Sequence, residues 1–458
     1  MLNKPSIERI INAALEFGDF AEVFCERNVK SLITANSQKV ETSSTGVEAG
    51  TGVRIFRGLD EIYVYTSGYS EDKIIKILKD TVGSLKNDSS FSTPTFAAAT
   101  NYNRFQGELH TSVNYGRKLE IVNRALIAGK EYSSDIGQMF ARYFDMCQDV
   151  VIANSEGIYA EDKRVKTRML ITAYAQGKNG VASGWQGPGA MKGFEFYTTL
   201  NIEDYAKEAA RIAINMSNAE KCRGGRMPVI VANGFGGLIF HEACGHSLEA
   251  SAVAIGTSEF SGKLGQTVAS PLLTLVDDGT VDGAWGSLAV DDEGTPTQKN
   301  VLIENGVLKS YMIDKLNARR MATPSTGSGR RQNYRFAPTS RMTNTYIEGG
   351  VTNPDEIIAN TERGLYVSYI NGGSVNPATG DFNFAATESF MIENGKIAAP
   401  VSGATLIGNG LQVLKDVDMV GNNPKLGEGF CFAGSGALFI SAGQPTVRVS
   451  EMTVGGVK

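Results

Sequence analysis

Residues 226–250 read RMPVIVANGFGGLIFHEACGHSLEA, and the parsing of this stretch decides the fold. Pro228-Val229-Ile230-Val231 is the apolar run of a buried strand. Asn233-Gly234-Phe235-Gly236-Gly237 is a turn that can feed a helix. That helix carries His241-Glu242-Ala243-Cys244-Gly245-His246. A strand therefore leads straight into a helix with chemistry on it, and the chain changes character on either side.

Upstream, helical and strand periods mix. Residues 5–17 place Ile7, Ile10, Ile11, Ala14 and Leu15 on one helical face. Residues 20–66 read as short strands broken at Asn, Ser and Gly. Residues 70–86 form a helix with Ser70 as N-cap and acids in its first turn. Residues 87–106, rich in Ser, Thr, Asn and Pro, read as a linker. A helix at 115–131 is followed by strands at 138–145, 148–153 and 165–176, with a turn at Asn154-Ser155-Glu156-Gly157. The six glycines of 177–193 predict a mobile loop, and 203–217 another helix. Downstream of Cys222-Arg223-Gly224-Gly225 helical patterns almost vanish, apart from the histidine segment and a short one near 314–321. Two Asn-Gly turns, in VLIENGVLKSYMI (301–313) and FMIENGKIAAPV (389–401), predict hairpins.

The expected class is α+β. An N-terminal α+β domain spans 1–222, with possible sub-units 1–90 and 107–222. A large, mainly antiparallel β domain spans 223–458 and carries the metal-binding helix.

The 458 residues are 42% hydrophobic and carry a net charge of −5 from 44 basic and 49 acidic residues. That balance lacks the basic footprint of a nucleic-acid binder, whose domain pI usually exceeds about 9. Five scattered cysteines argue against a disulfide framework. The N-terminus shows no secretory leader pattern. No apolar run approaches the about 18 residues of a membrane helix. A cytoplasmic protein is expected.

Only three histidines occur, and two of them are His241 and His246. Zinc in hydrolases takes neutral imidazoles and keeps an open position for water, with a carboxylate nearby to accept the proton. Histidines at i and i+4 lie roughly 40° apart around a helix, whereas i and i+5 lie roughly 140° apart. Two ligands so placed cannot reach one ion from a regular helix. The segment must unwind or widen into a π-type turn before His246, and Gly245 is where that distortion costs least. A third ligand is required. Cys244, Glu249 and Cys431 are the candidates, Cys431 being flanked by glycines in Gly427-Glu428-Gly429-Phe430-Cys431-Phe432-Ala433-Gly434.

These residues resemble the TldD/PmbA family of zinc metallopeptidases, on its TldD side. The likeness extends over GTGVRIF (50–56), HEACGH (241–246), LVDDGTVDGAWGSLAVDDEGTPTQKNVLIENGVLKSYM (275–312), STGSGRRQNYRFAPTSRMTNTYIEGG (325–350), PVSGATLIGNG (400–410) and GQPTVRVSEMTVGG (443–456). The resemblance implies one Zn2+ per catalytic subunit, held by His241, His246 and Cys431, with Glu242 as general base. The family leaves position 244 open, which lowers Cys244 as a ligand. The PmbA-like (TldE) branch lacks the His-Glu-x-x-x-His segment and is not catalytic, so this chain resembles the catalytic branch. Such proteins trim leader peptides and degrade small unfolded proteins. They pair with an inactive homologous subunit as a heterodimer, a homodimer being the alternative. They grip substrate as an added β-strand, which reads backbone rather than sequence. A non-catalytic peptide-binding subunit is the competing role, against which the intact motif stands. No nucleic acid and no membrane are expected as partners.

Two further groups stand out. Gly327-Ser328-Gly329-Arg330-Arg331, with Arg341, forms a basic, flexible stretch that can hold a peptide carboxylate or line a cleft. Asp291-Asp292-Glu293-Gly294 lacks the alternating ligands of a calcium loop. It reads as a tight turn with a carboxylate bonded to an arginine.

Overall fold

The amphipathic N-terminus becomes helix α1 (Lys4–Leu15), capped by the Asn3 side chain and burying Ile7, Ile10 and Ile11. Three strands follow, β1 (Phe20–Asn36), β2 (Val40–Arg57) and β3 (Asp60–Ser67). Ser70 caps α2 (Glu71–Val82) and Asn114 caps α3 (Tyr115–Lys130), each accepting a backbone N–H of the first turn. The structure, a computed structural model, describes residues 1–83, 96, 99–103, 105–376 and 379–457. The linker expected at 87–106 lies largely outside them.

β4 (Ile136–Asn154), β5 (Tyr159–Gly177), β6 (Gly180–Gln186) and α4 (Ile202–Asn218) complete the first half. The sheet order is β3-β2-β1-β4-β5, with β6 paired to β5. Two expectations fail here. The short strands read within 20–66 and 138–153 are long continuous ones. β1 and β4 pair in one unbroken register from Glu22↔Asn154 to Asn36↔Phe140, so neighbours on both sides carry the ladder through locally polar positions. The glycine-rich loop at 177–193 instead contains strand β6 and a two-residue rung at Gly189–Ala190. Gly184 serves close packing, since a Cβ there would lie 2.2 Å from the Ala209 carbonyl of α4, while Gly180 takes φ 108° at the turn into β6. The Asn154 turn is as read. Its side chain accepts from the Glu156 and Ile158 amides, and Gly157 takes φ 92°.

The second half runs through β7 (Gly225–Val231), the histidine segment, β8 (Leu275–Asp278), β9 (Lys299–Glu304) and β10 (Val307–Leu308). A short helix at Lys315–Met321 precedes β11 (Asn344–Ile347), β12 (Arg363–Val375), β13 (Asp381–Glu393) and β14 (Lys396–Ser402). β15 (Thr405–Asn409), β16 (Lys425–Ala433), β17 (Gly436–Gln444) and β18 (Val447–Gly455) end the chain. One sheet runs β12-β7-β18-β15-β13-β14, and β12 also pairs with β13, which closes a ring. A second runs β10-β9-β8-β11-β17-β16. Pairing is antiparallel except at β7–β12, β11–β17 and short rungs such as the one between β14 and Glu220–Lys221.

Both Asn-Gly hairpins form. Asn305 and Gly306 take φ 47° and 81°, and Asn394 and Gly395 take 52° and 70°, as a type I′ turn demands. The first is shorter than expected, because its returning strand stops at Leu308. The largest apolar core lies between these sheets and takes in Phe240, Ala243, Cys244, Leu248 and Cys431. Buried ion pairs join the halves: Arg54 with Glu293, Glu22 with Arg331, and Arg164 with Asp292 at 2.5 Å. The acidic stretch is therefore the arginine-bonded turn its spacing indicated. Asp291 accepts from the Glu293 and Thr295 amides.

Candidate metal centre

The approach to the site is built from glycine. A Cβ on Gly237 would lie 2.5 Å from the backbone of Gly443 in β17. One on Gly427 of β16 would lie 2.7 Å from Phe235. With no side chains between them, the start of the histidine segment rests directly on the β16–β17 hairpin, whose strand β16 carries Cys431.

The segment itself is irregular. Leu238–Phe240 is α-helical, His241–Gly245 is a π-helical turn, and His246–Leu248 continues as a 3-10 turn. The widened turn is the distortion that the i, i+5 spacing required. The reason given for Gly245 needs correction, however. Its φ and ψ, −55° and −54°, are ordinary helical values open to any residue. What requires glycine is space, since a Cβ there would sit 2.4 Å from the Met342 sulfur.

The turn brings the imidazoles of His241 and His246 to 5.3 Å between centroids at 80°. One donor atom each from His241, His246 and Cys431 lie within 4.8 Å of one another. His246 Nε2 is 3.2 Å from Cys431 Sγ and 3.8 Å from a Glu242 carboxylate oxygen. Its other nitrogen, Nδ1, lies 3.3 Å from Glu249. Glu249 thus stands behind His246 rather than beside the sulfur. Cys244 points away and donates its S–H to the Phe240 carbonyl at 2.9 Å. Burial pushes that thiol up and keeps it neutral.

Cys431 behaves oppositely. Burial raises its thiol, but His241 and His246 outweigh burial and bring it down to about 4. His246 is lowered by burial and raised more strongly by Glu249 and Cys431, ending well above its ordinary value. The two shifts run in opposite directions because each group favours the other's charge, and a metal ion held there would take the thiolate and neutral imidazoles as ligands. The donors fit such an ion: a thiolate and two imidazoles, of which His241 has a buried Nδ1 with no hydrogen-bond partner.

The basic stretch is not the flexible one expected. Arg330, Arg331 and Arg341 are all buried. Arg330 donates to the carbonyls of Met342 and Phe439, and Arg331 to Glu22 and the Asp292 carbonyl. Arg341 donates to the carbonyls of Cys431 at 2.9 Å and Gly436 at 3.1 Å. Acceptors on distant strands turned these guanidiniums inward, so they do not line an open cleft. Sequence reasoning missed that Arg341 touches the backbone of Cys431, and no local pattern signals it.

Residues 21–84, 108–217 and 224–456 match family models described as PmbA/TldA metallopeptidase domain 1, central domain and C-terminal domain. A metalloprotease TldD homolog of Buchnera aphidicola is 33% identical, over 98% of this chain and 95% of its own. That of Haemophilus influenzae is 32% identical, over 96% and 93%. The solved structure of TldE from Thermococcus kodakarensis superposes with a TM-score of 0.79, covering 98% of this chain and 100% of that one. At 19% identity, that likeness is one of fold. With family models along most of its length and relatives this similar end to end, the chain belongs to the PmbA/TldD family of metallopeptidases.

Proposed function

We propose that this chain is a zinc-dependent peptidase of the TldD-like, catalytic kind, acting on short or unfolded peptides in the cytoplasm. The observation that carries the reading is the convergence of His241, His246 and Cys431 donors within 4.8 Å, with the Glu242 carboxylate 3.8 Å from His246 Nε2. A zinc ion held there would supply Lewis acidity toward a peptide carbonyl and toward water. Glu242, partly exposed where the three ligand residues are largely buried, takes the proton of the attacking water and returns it to the departing amine. His246, backed by Glu249, presents Nε2 to the metal. Neighbouring β-rich surface grips an extended peptide by strand addition, which suits leader segments and unfolded small proteins of varied sequence. The names of the relatives, metalloprotease TldD homologs, support the peptidase reading. The TldE neighbour supports pairing with an inactive homologous subunit, a homodimer being the other arrangement.

Glu242→Gln is the test. Purified with its partner if it has one, the variant is expected to keep about one zinc per subunit and to lose at least about 100-fold in cleavage of an unstructured peptide. Cleavage at the parental rate would remove Glu242 as the base.

A further inference from the structure

Arg341 has an unusual set of neighbours. Its side chain is 1% exposed, and nearly all its acceptors lie on the β16–β17 hairpin. Nη2 donates to the Cys431 carbonyl at 2.9 Å. Nη1 donates to Ser435 Oγ at 3.0 Å and to the Gly436 carbonyl at 3.1 Å. The remaining edge, Nε, has no hydrogen-bond partner, although it is buried. Glu249 Oε1 is likewise buried without a partner, and these two atoms face each other at 3.7 Å. The other Glu249 oxygen meets His246 Nδ1 at 3.3 Å. A continuous chain therefore runs from His246 through Glu249 and Arg341 to the backbone of Cys431.

We propose that Arg341 is the positioning residue of the metal centre, fixing Cys431 and His246 relative to each other through the hairpin on one side and Glu249 on the other. The proposal rests on the metal-centre reading above. Carboxylates behind ligating histidines fix the ring's tautomer and orientation, and their loss typically weakens metal affinity about 10–100-fold. Here Glu249 requires Nδ1–H, which leaves Nε2 as the metal-facing lone pair. Arg341 does for the thiolate's backbone what Glu249 does for the ring, and its planar fork is what allows both contacts at once. The two ligands are separated by 185 positions in sequence, so their spacing cannot be set locally. Full burial with internal acceptors also separates this role from that of holding a peptide carboxylate.

Zinc affinity is measured by chelator competition on the full chain for wild type, Arg341→Lys, Glu249→Gln and the double variant. Circular dichroism establishes that each metal-free protein is folded. Glu249→Gln, nearly isosteric, keeps the test open should Arg341→Lys fail to fold. Each single variant is expected to lose about 10–100-fold in affinity. The double variant should be no weaker than the worse single one, because both break one chain of contacts. In the cobalt-loaded protein, the thiolate-to-cobalt absorption should shift in Arg341→Lys. Three results overturn the proposal: wild-type affinity in either single variant, effects that multiply in the double variant, or a raised KM for peptide with affinity and cobalt spectrum unchanged. A wild-type chain that takes up no divalent metal would instead remove the metal-centre reading itself, and this inference with it.

Discussion

Glu259 shows how closely backbone crowds this site. A Cβ on Gly380 would lie 2.7 Å from its Oε1, and one on Gly410 would lie 3.2 Å away and 2.1 Å from the Ala243 carbonyl of the π-turn. Oε1 is buried and without a hydrogen bond. Burial pushes this carboxyl from 4.5 up to about 7; Lys263 opposes the rise and Asp381 adds to it. Because the folded value is the higher one, the folded protein keeps a proton that the unfolded chain has lost. The stability linked to that proton is complete below 4.5 and disappears as pH rises through about 7. Glu259→Gln, neutral throughout, should melt close to the parent in acid and above it in mild alkali, with the gap opening across that window. A gap that does not vary with pH would show that Glu259 is not the group titrating. At this scale His241, Glu242 and His246 were legible because histidine is rare in the chain and its spacing makes a geometric demand. Cys431 was not legible locally, since a cysteine among glycines in a strand looks like any buried cysteine. Its low thiol comes from two imidazoles far away in sequence.

Among elements, the π-turn is the one on which the proposed metal centre depends. It was readable from i, i+5 spacing, whereas the role of Gly245 was not, because Met342 arrives from nearly a hundred residues downstream. Gly245→Ala places a methyl against the fully buried Met342 sulfur. The expected loss is about 1–3 kcal/mol in denaturant unfolding, together with weaker zinc retention. Pairing it with Met342→Ala should recover part of the metal binding, because room is restored at the same contact. A Gly245→Ala protein of parental stability and zinc content would show that this contact does not set the turn. Hairpins were legible at Asn305-Gly306 and Asn394-Gly395, where the Asn itself takes positive φ. Strand lengths were not, since β4 runs through Asp145 and Gln148 only because β1 and β5 flank it. Gly184 of β6 signalled flexibility locally and close packing against α4 in fact.

At the scale of the whole molecule, the halves are joined through charge buried from water. Asp292 accepts from Arg164 at 2.5 Å and from the Arg331 amide at 2.8 Å, at 2% exposure. Residues 329–330 in turn pair with 339–340, immediately before Arg341. The N-terminal sheet thus braces the segment that leads into Arg341. Removing one partner of a buried pair leaves the other charge uncompensated, which costs about 3–5 kcal/mol. Asp292→Asn should lower unfolding stability by that order and loosen zinc binding while touching no ligand. Parental zinc affinity in a clearly destabilised Asp292→Asn would show that the junction supports the fold without supporting the site. A carboxylate–arginine bond at the acidic turn was legible, but its partner was not, because Arg164 lies 128 positions from Asp292 and Arg331 read locally as part of a flexible basic stretch.

The most direct measurement is zinc-edge X-ray absorption on the chain loaded with one equivalent of zinc. The expected first shell holds imidazole nitrogens at about 2.0–2.1 Å and one sulfur at about 2.3 Å. That sulfur should persist in Cys244→Ala and vanish in Cys431→Ala. A first shell of nitrogen and oxygen alone, or a sulfur that survives Cys431→Ala, would contradict a centre built from His241, His246 and Cys431.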